Sequence, residues 1–161
     1  MKDYDHRIDI FKGLLTLGMI FCHALQFFSN FQKYPTAYYI AEFINIITFP
    51  GFVFCFGYTS GSAYFSKDLK TVWTKMLNAA FKTFAAFVIS GISYRYFIDR
   101  RFLNLDLILN IITLSDIPGW SEFLVSFSLY SITAIVLFKP LKLISTNSRF
   151  FVIAFFILFF S

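Results

Sequence analysis

Apolar residues gather along the chain into long runs separated by short polar stretches. The first run, residues 13–31, is long enough to cross a bilayer as one helix. It ends without a small-residue cleavage site, so it does not read as a removable signal peptide. The second, residues 38–65, holds a single charge, Glu42, and exceeds the length of one crossing. Pro50-Gly51 in its middle predicts a kink or a broken helix. The third reaches from Leu77 to about Ile98 with Lys82 one turn inside, and the fourth covers residues 119–138. A fifth begins at Phe150 and is too short to span before the sequence stops at Ser161, which leads us to expect a longer reading frame. Residues 102–114 are apolar but interleaved with Asn104, Asp106, Asn110 and Thr113, as in an interfacial or re-entrant helix.

The pattern predicts an all-α fold, a polytopic integral-membrane helix bundle. It has four spanning helices, a partial fifth and one short re-entrant or interfacial helix. Residues 1–161 form a single transmembrane domain with no internal repeat.

Composition narrows the class further. The chain is 58% hydrophobic and 14% charged, with a mean hydropathy of +0.68. A disordered chain lacks that much apolar surface, and an ordinary soluble domain carries more charge. The net charge of +5 has no basic stripe interleaved with exposed aromatics, so nucleic acid is not expected as a partner. The cations instead follow the loops. With the N-terminus in the cytosol, that side carries Lys2, Arg7, Lys12, Lys67, Lys70, Lys75, Lys139, Lys142 and Arg149. The far side carries Lys33, Arg95, Arg100 and Arg101, a positive-inside bias. Lys82, near the cytosolic face, is placed to snorkel. Cys22 and Cys55 both fall in apolar runs, which gives no disulfide framework, and no metal-ligand spacing is present.

On a helix of 3.6 residues per turn, Lys12, Thr16, Met19, His23, Gln26 and Asn30 form one narrow stripe of the first run. Lipid cannot satisfy such a stripe, so it faces protein or a water-filled cavity. His23 lies about 16 Å along the axis from Lys12, near mid-membrane. A neutral imidazole at that depth suits a general base; it equally suits a hydrogen bond between packed helices. Cys22 points about 100° away from His23, which argues against a Cys–His nucleophile pair.

Arg7, Lys12-Gly13-Leu14 and Phe21-Cys22-His23 resemble the opening of the acyltransferase 3 family of integral-membrane acyltransferases. That opening has a basic residue and Gly-Leu, then a histidine after ten intervening residues. Residues 52–58, ending in Phe56-Gly57-Tyr58, are similar to a second family segment, with Phe56 in place of its serine. Trp120-Ser121-Glu122 resembles a third, which opens a later helix. The family's Arg-x-x-Arg pair is absent; Lys75 and Lys82 stand in that neighbourhood at wider spacing. Family members have more spanning helices, so the chain corresponds to their N-terminal half.

The resemblance implies a reaction: an acyl group, commonly acetyl, passes from a cytosolic coenzyme A thioester to a hydroxyl of an exported carbohydrate or lipid-linked sugar. It implies His23 as catalytic histidine and Lys12 as its basic partner. Acyl-CoA is then the donor substrate, with no tightly bound cofactor. Lys12, Lys75 and Lys82 are candidates for holding the donor's phosphates, since cations at the cytosolic boundary suit that task, and Lys67 and Lys70 on the same side add to that anchor; plain topological charge explains Lys67, Lys70, Lys75 and Lys82 as well.

Gln26, Glu42, Tyr58 and Glu122 are substrate-contact candidates. For each a structural role stands beside the functional one: Glu42 as an interfacial residue, Tyr58 as a packing aromatic, and Glu122 on a hydrogen-bonding face with Ser126 and Thr133. Gly57 and Gly61 form a Gly-x-x-x-Gly pair that suits close helix packing. Arg95, Arg100 and Arg101 suit an anionic acceptor or simple flanking charge. The expected setting is a bacterial plasma membrane, multi-pass with a cytosolic N-terminus, with membrane lipids, a C-terminal half or a second copy as partners. The alternative is a small non-catalytic membrane protein or a truncated remnant of such an enzyme. A transporter, which also uses intramembrane histidines, would favour inverted repeats, and none is seen.

Overall fold

The computed structural model of the chain describes residues 6–119 and 121–147. Lys2, Trp120, Arg149 and the partial fifth span expected from Phe150 lie outside the described residues. The regular elements are all helical: α1 His6–Phe28, α2 Pro35–Ser60 followed by a π-helical turn Gly61–Phe65, α3 Leu69–Phe97, α4 Leu105–Ile112, α5 Glu122–Val136 and α6 Phe138–Thr146. The chain divides into two compact units, Met1–Thr59 and Ser60–Ser161.

Among the described residues, three helical stretches are long and apolar enough to cross a membrane: His6–Phe28, Pro35–Phe65 and Leu69–Phe97. The fourth run departs from the expected straight span. α5 has 15 residues, about 22 Å at 1.5 Å per residue, and α6 leaves it at 86°. Only the bent pair taken together makes a fourth candidate. Pro140 accounts for the break: it has no N–H to bond the Val136 carbonyl, but fits the first turn of a new helix. Pro50, by contrast, lies inside α2 without ending it.

In the first unit, α1 and α2 form an antiparallel hairpin. Asn30 makes the turn, its Oδ1 accepting from the N–H groups of Gln32 and Lys33 at 3.1 and 3.2 Å. Pro35 then opens α2, where its missing N–H costs nothing. Buried positions recur every seven residues, at Leu15 and Cys22 on α1 and Ala41, Thr48 and Cys55 on α2. Small residues bring the backbones together. A Cβ on Gly51 would stand 2.7 Å from Leu15 Cδ2, and one on Gly18 would stand 3.2 Å from Ile44 Cγ2 and 3.3 Å from Thr48 Oγ1. The Cys22 thiol donates to the Ala41 carbonyl at 3.3 Å. The Gly57–Gly61 pair does not make the close packing its spacing suggests: a Cβ on Gly57 would meet nothing within 4 Å, and one on Gly61 only the ring of Phe65 at 4.0 Å.

In the second unit, α3 packs along α5. Ser128 Oγ donates across the pair to the Ala80 carbonyl at 2.9 Å, which satisfies a buried hydroxyl. One apolar cluster joins Phe87, Leu107, Ile111 and Val125; another joins Phe65, Val72, Met76, Ala134 and Phe138. The short helix foreseen in residues 102–114 is α4. Its polar residues act locally: Asn104 Oδ1 accepts from Leu107 N at 2.8 Å as an N-cap. Leu114 at φ 60° closes the other end, with Ser115 N bonding back to Asn110 O at 2.9 Å. Gly91 admits Pro118 to the core, since a Cβ there would lie 3.0 Å from Pro118 Cγ.

Candidate functional site

α1 presents three faces. Ile10, Leu14, Leu17, Ile20 and Phe21 are exposed and apolar. Leu15, Gly18 and Cys22 meet α2. Lys12, Thr16, His23 and Gln26 lie on the third, about 150° around the axis from the exposed apolar face. The polar stripe therefore borders the α1–α2 seam and turns away from the side suited to lipid.

His23 is half-buried, and its Nδ1 stands 3.3 Å from Gln26 Oε1. With the amide oxygen facing it, Nδ1 is the donor in the Nδ1–H tautomer. One turn of helix makes the pair: residues three apart share a face. Lys12 is also half-buried, and its ammonium lies 3.9 Å from Asp9 Oδ1. Thr16 Oγ1 donates to the Lys12 carbonyl at 2.9 Å. Asp9 was not among the residues expected at the site, although its i, i+3 spacing to Lys12 is the signal that reveals it. Lys12 and His23 share a stripe but not a contact, being about 16 Å apart along the axis.

The other candidates in the first unit stand apart from that stripe. Glu42 is exposed and lies about 100° around α2 from Ala41, off the face that meets α1. Tyr58 is 43% exposed and stacks on Phe54, ring centroids 6.4 Å apart.

Lys75, Lys82 and Glu122 belong to the second unit, and all three are exposed. Lys75 and Lys82 share an outward stripe of α3, seven residues apart. Glu122, Ser126 and Thr133 do share a face of α5, opposite the one that packs on α3, and Ser126 Oγ donates to its own helix at the Glu122 carbonyl, 2.9 Å. A cleft of about 500 Å³ lies between α3 and α5, lined mainly by Leu77, Phe81, Phe84, Leu129 and Ile132. None of the expected site residues lines it. Arg95 is committed elsewhere: its Nε and Nη2 grip Asp116, the former at 3.0 Å, and its Nη1 reaches Asp99 at 2.5 Å. Among the described residues, no three His, Cys, Asp or Glu side chains gather in one place.

Comparison with the models of known families, with curated proteins and with solved structures finds no match to this chain.

Proposed function

We propose that the chain is a membrane-bound acyltransferase, or the N-terminal part of one, of the acyltransferase 3 type. The observation that carries the proposal is the His23–Gln26 hydrogen bond on the same stripe of α1 as Lys12. The Nδ1–H tautomer makes Nε2 the base that takes the proton of an acceptor hydroxyl as that oxygen attacks the thioester carbonyl. The carbon–sulfur bond breaks, the acyl group passes to oxygen, and the proton held by His23 goes to the departing coenzyme A thiolate. Lys12, at the end of α1 near the membrane boundary, suits the phosphates of that donor. Gln26 holds the imidazole, and Glu42 and Tyr58 are left as contacts for a carbohydrate or lipid-linked acceptor. The setting is a plasma membrane crossed several times, with the N-terminus on the cytosolic side.

The test is release of free coenzyme A from acetyl-CoA by membranes containing the chain. Wild type is expected to release it, His23→Gln to lose at least about a hundredfold in rate, and Lys12→Gln to raise KM for the donor. Full activity in His23→Gln overturns the role of the histidine. No release by wild type favours a second reading, a non-catalytic membrane protein. That reading has its own support: none of the eight expected site residues is fully buried.

A further inference from the structure

The end of the second unit at which α3 begins and α5 finishes is built unlike the other end. α6 leaves α5 at 86° and packs against the π-helical turn Gly61–Phe65 there. Its inner face is anchored by Phe138, 3% exposed, whose ring meets Phe65 edge-on at 5.4 Å. Leu141 packs against the same cluster. Lys142 Nζ donates to the Lys67 carbonyl at 2.8 Å and lies 3.3 Å from Asp68 Oδ1, which ties α6 to the loop before α3. The result gathers Lys67, Lys70, Lys139 and Lys142 at one end. Residues 61–82 and 136–147 contain a single carboxylate, Asp68, and Lys142 already pairs with it. Lys139 and Leu143 share the outward face of α6, and Leu143 is 48% exposed.

α3 is long and apolar enough to cross a membrane, and where α5 stands beside it α6, at 86° to α5, runs along the membrane surface. An outward face holding a lysine beside an exposed leucine suits the boundary between headgroups and acyl chains. We infer that α6 and the loop before α3 form a docking surface for anionic phospholipid headgroups, with Lys67, Lys70 and Lys139 supplying the positive field and α6 supplying the platform. Charge complementarity selects this occupant: a surplus of lysines over one neutralised aspartate attracts phosphodiesters of net negative charge and gains nothing from zwitterionic headgroups. The inference does not use His23, Lys12, Lys75 or Lys82, and the test below separates a lipid headgroup from the phosphates of a soluble donor.

The test is native mass spectrometry of the full chain in detergent, titrated with phosphatidylglycerol or phosphatidylcholine. Wild type is expected to retain phosphatidylglycerol in preference. Lys67→Gln and Lys139→Gln are each expected to weaken that retention about fivefold. Arg101→Gln, at the opposite end of α3, is expected to leave it unchanged. Equal retention of the two lipids, retention unaffected by the lysine substitutions, or an equal loss in Arg101→Gln overturns the inference. So does displacement of the lipid by stoichiometric coenzyme A, which would assign these lysines to a soluble phosphate ligand instead.

Discussion

His23 Nδ1 and Gln26 Oε1 lie 3.3 Å apart, one turn from each other on α1. The contact suits the Nδ1–H tautomer, and nitrogen NMR of the histidine-labelled protein reads directly which nitrogen carries the proton. The neutral His23 ring is expected to carry its proton mainly on Nδ1, with His6→Gln used to assign the signals. Gln26→Leu is expected to shift the population toward Nε2–H and, in the acyl-transfer assay, to lower kcat by about tenfold with little change in KM. An unchanged tautomer in Gln26→Leu removes Gln26 as a positioning residue.

The α1–α2 seam makes a contrast between two glycines. Gly18 faces Ile44 and Thr48 at contact distance, whereas Gly57 faces open space. Gly18→Val is expected to cost about 2 kcal/mol by overpacking and to lower the Tm of the detergent-solubilised chain. Gly57→Ala is expected to leave Tm unchanged or raise it, because alanine is the better helix former. A large drop in Gly57→Ala would place a close neighbour where none is seen.

Arg95 ties the end of α3 to the segment between α4 and α5 through Asp116, and to its own helix through Asp99. All three side chains are largely shielded, at 16–26% exposure, so screening by solvent is weaker than at an open surface. Asp116→Asn removes the charge from a two-pronged contact and is expected to destabilise the second unit by about 2 kcal/mol. Hydrogen exchange over residues 113–119 should rise with it. Arg101→Gln, fully on the surface, is expected to fall within about 0.5 kcal/mol of wild type. Equal effects from the two substitutions would show that the Arg95 contact carries no stability.

The sequence by itself determined what local rules govern. Unbroken apolar runs give long helices because an isolated helix satisfies its own backbone. The Lys12–His23–Gln26 stripe follows from 3.6 residues per turn, with no tertiary information needed. The short α4 was legible from the polar residues interrupting its run, whereas the break between α5 and α6 was not legible in a run that continues to residue 138. Tertiary structure alone decided which side of α1 meets α2, because that choice rests on the fit of Leu15 over Gly51 and of Gly18 against Thr48, residues some thirty positions apart in sequence. It also took Arg95 out of the set of available cations through Asp116 and gave Ser128 a partner on α3. Periodicity fixes the angle of a side chain about its own helix axis. It does not fix what stands opposite, because van der Waals fit and hydrogen bonding between distant segments are set only when the helices pack.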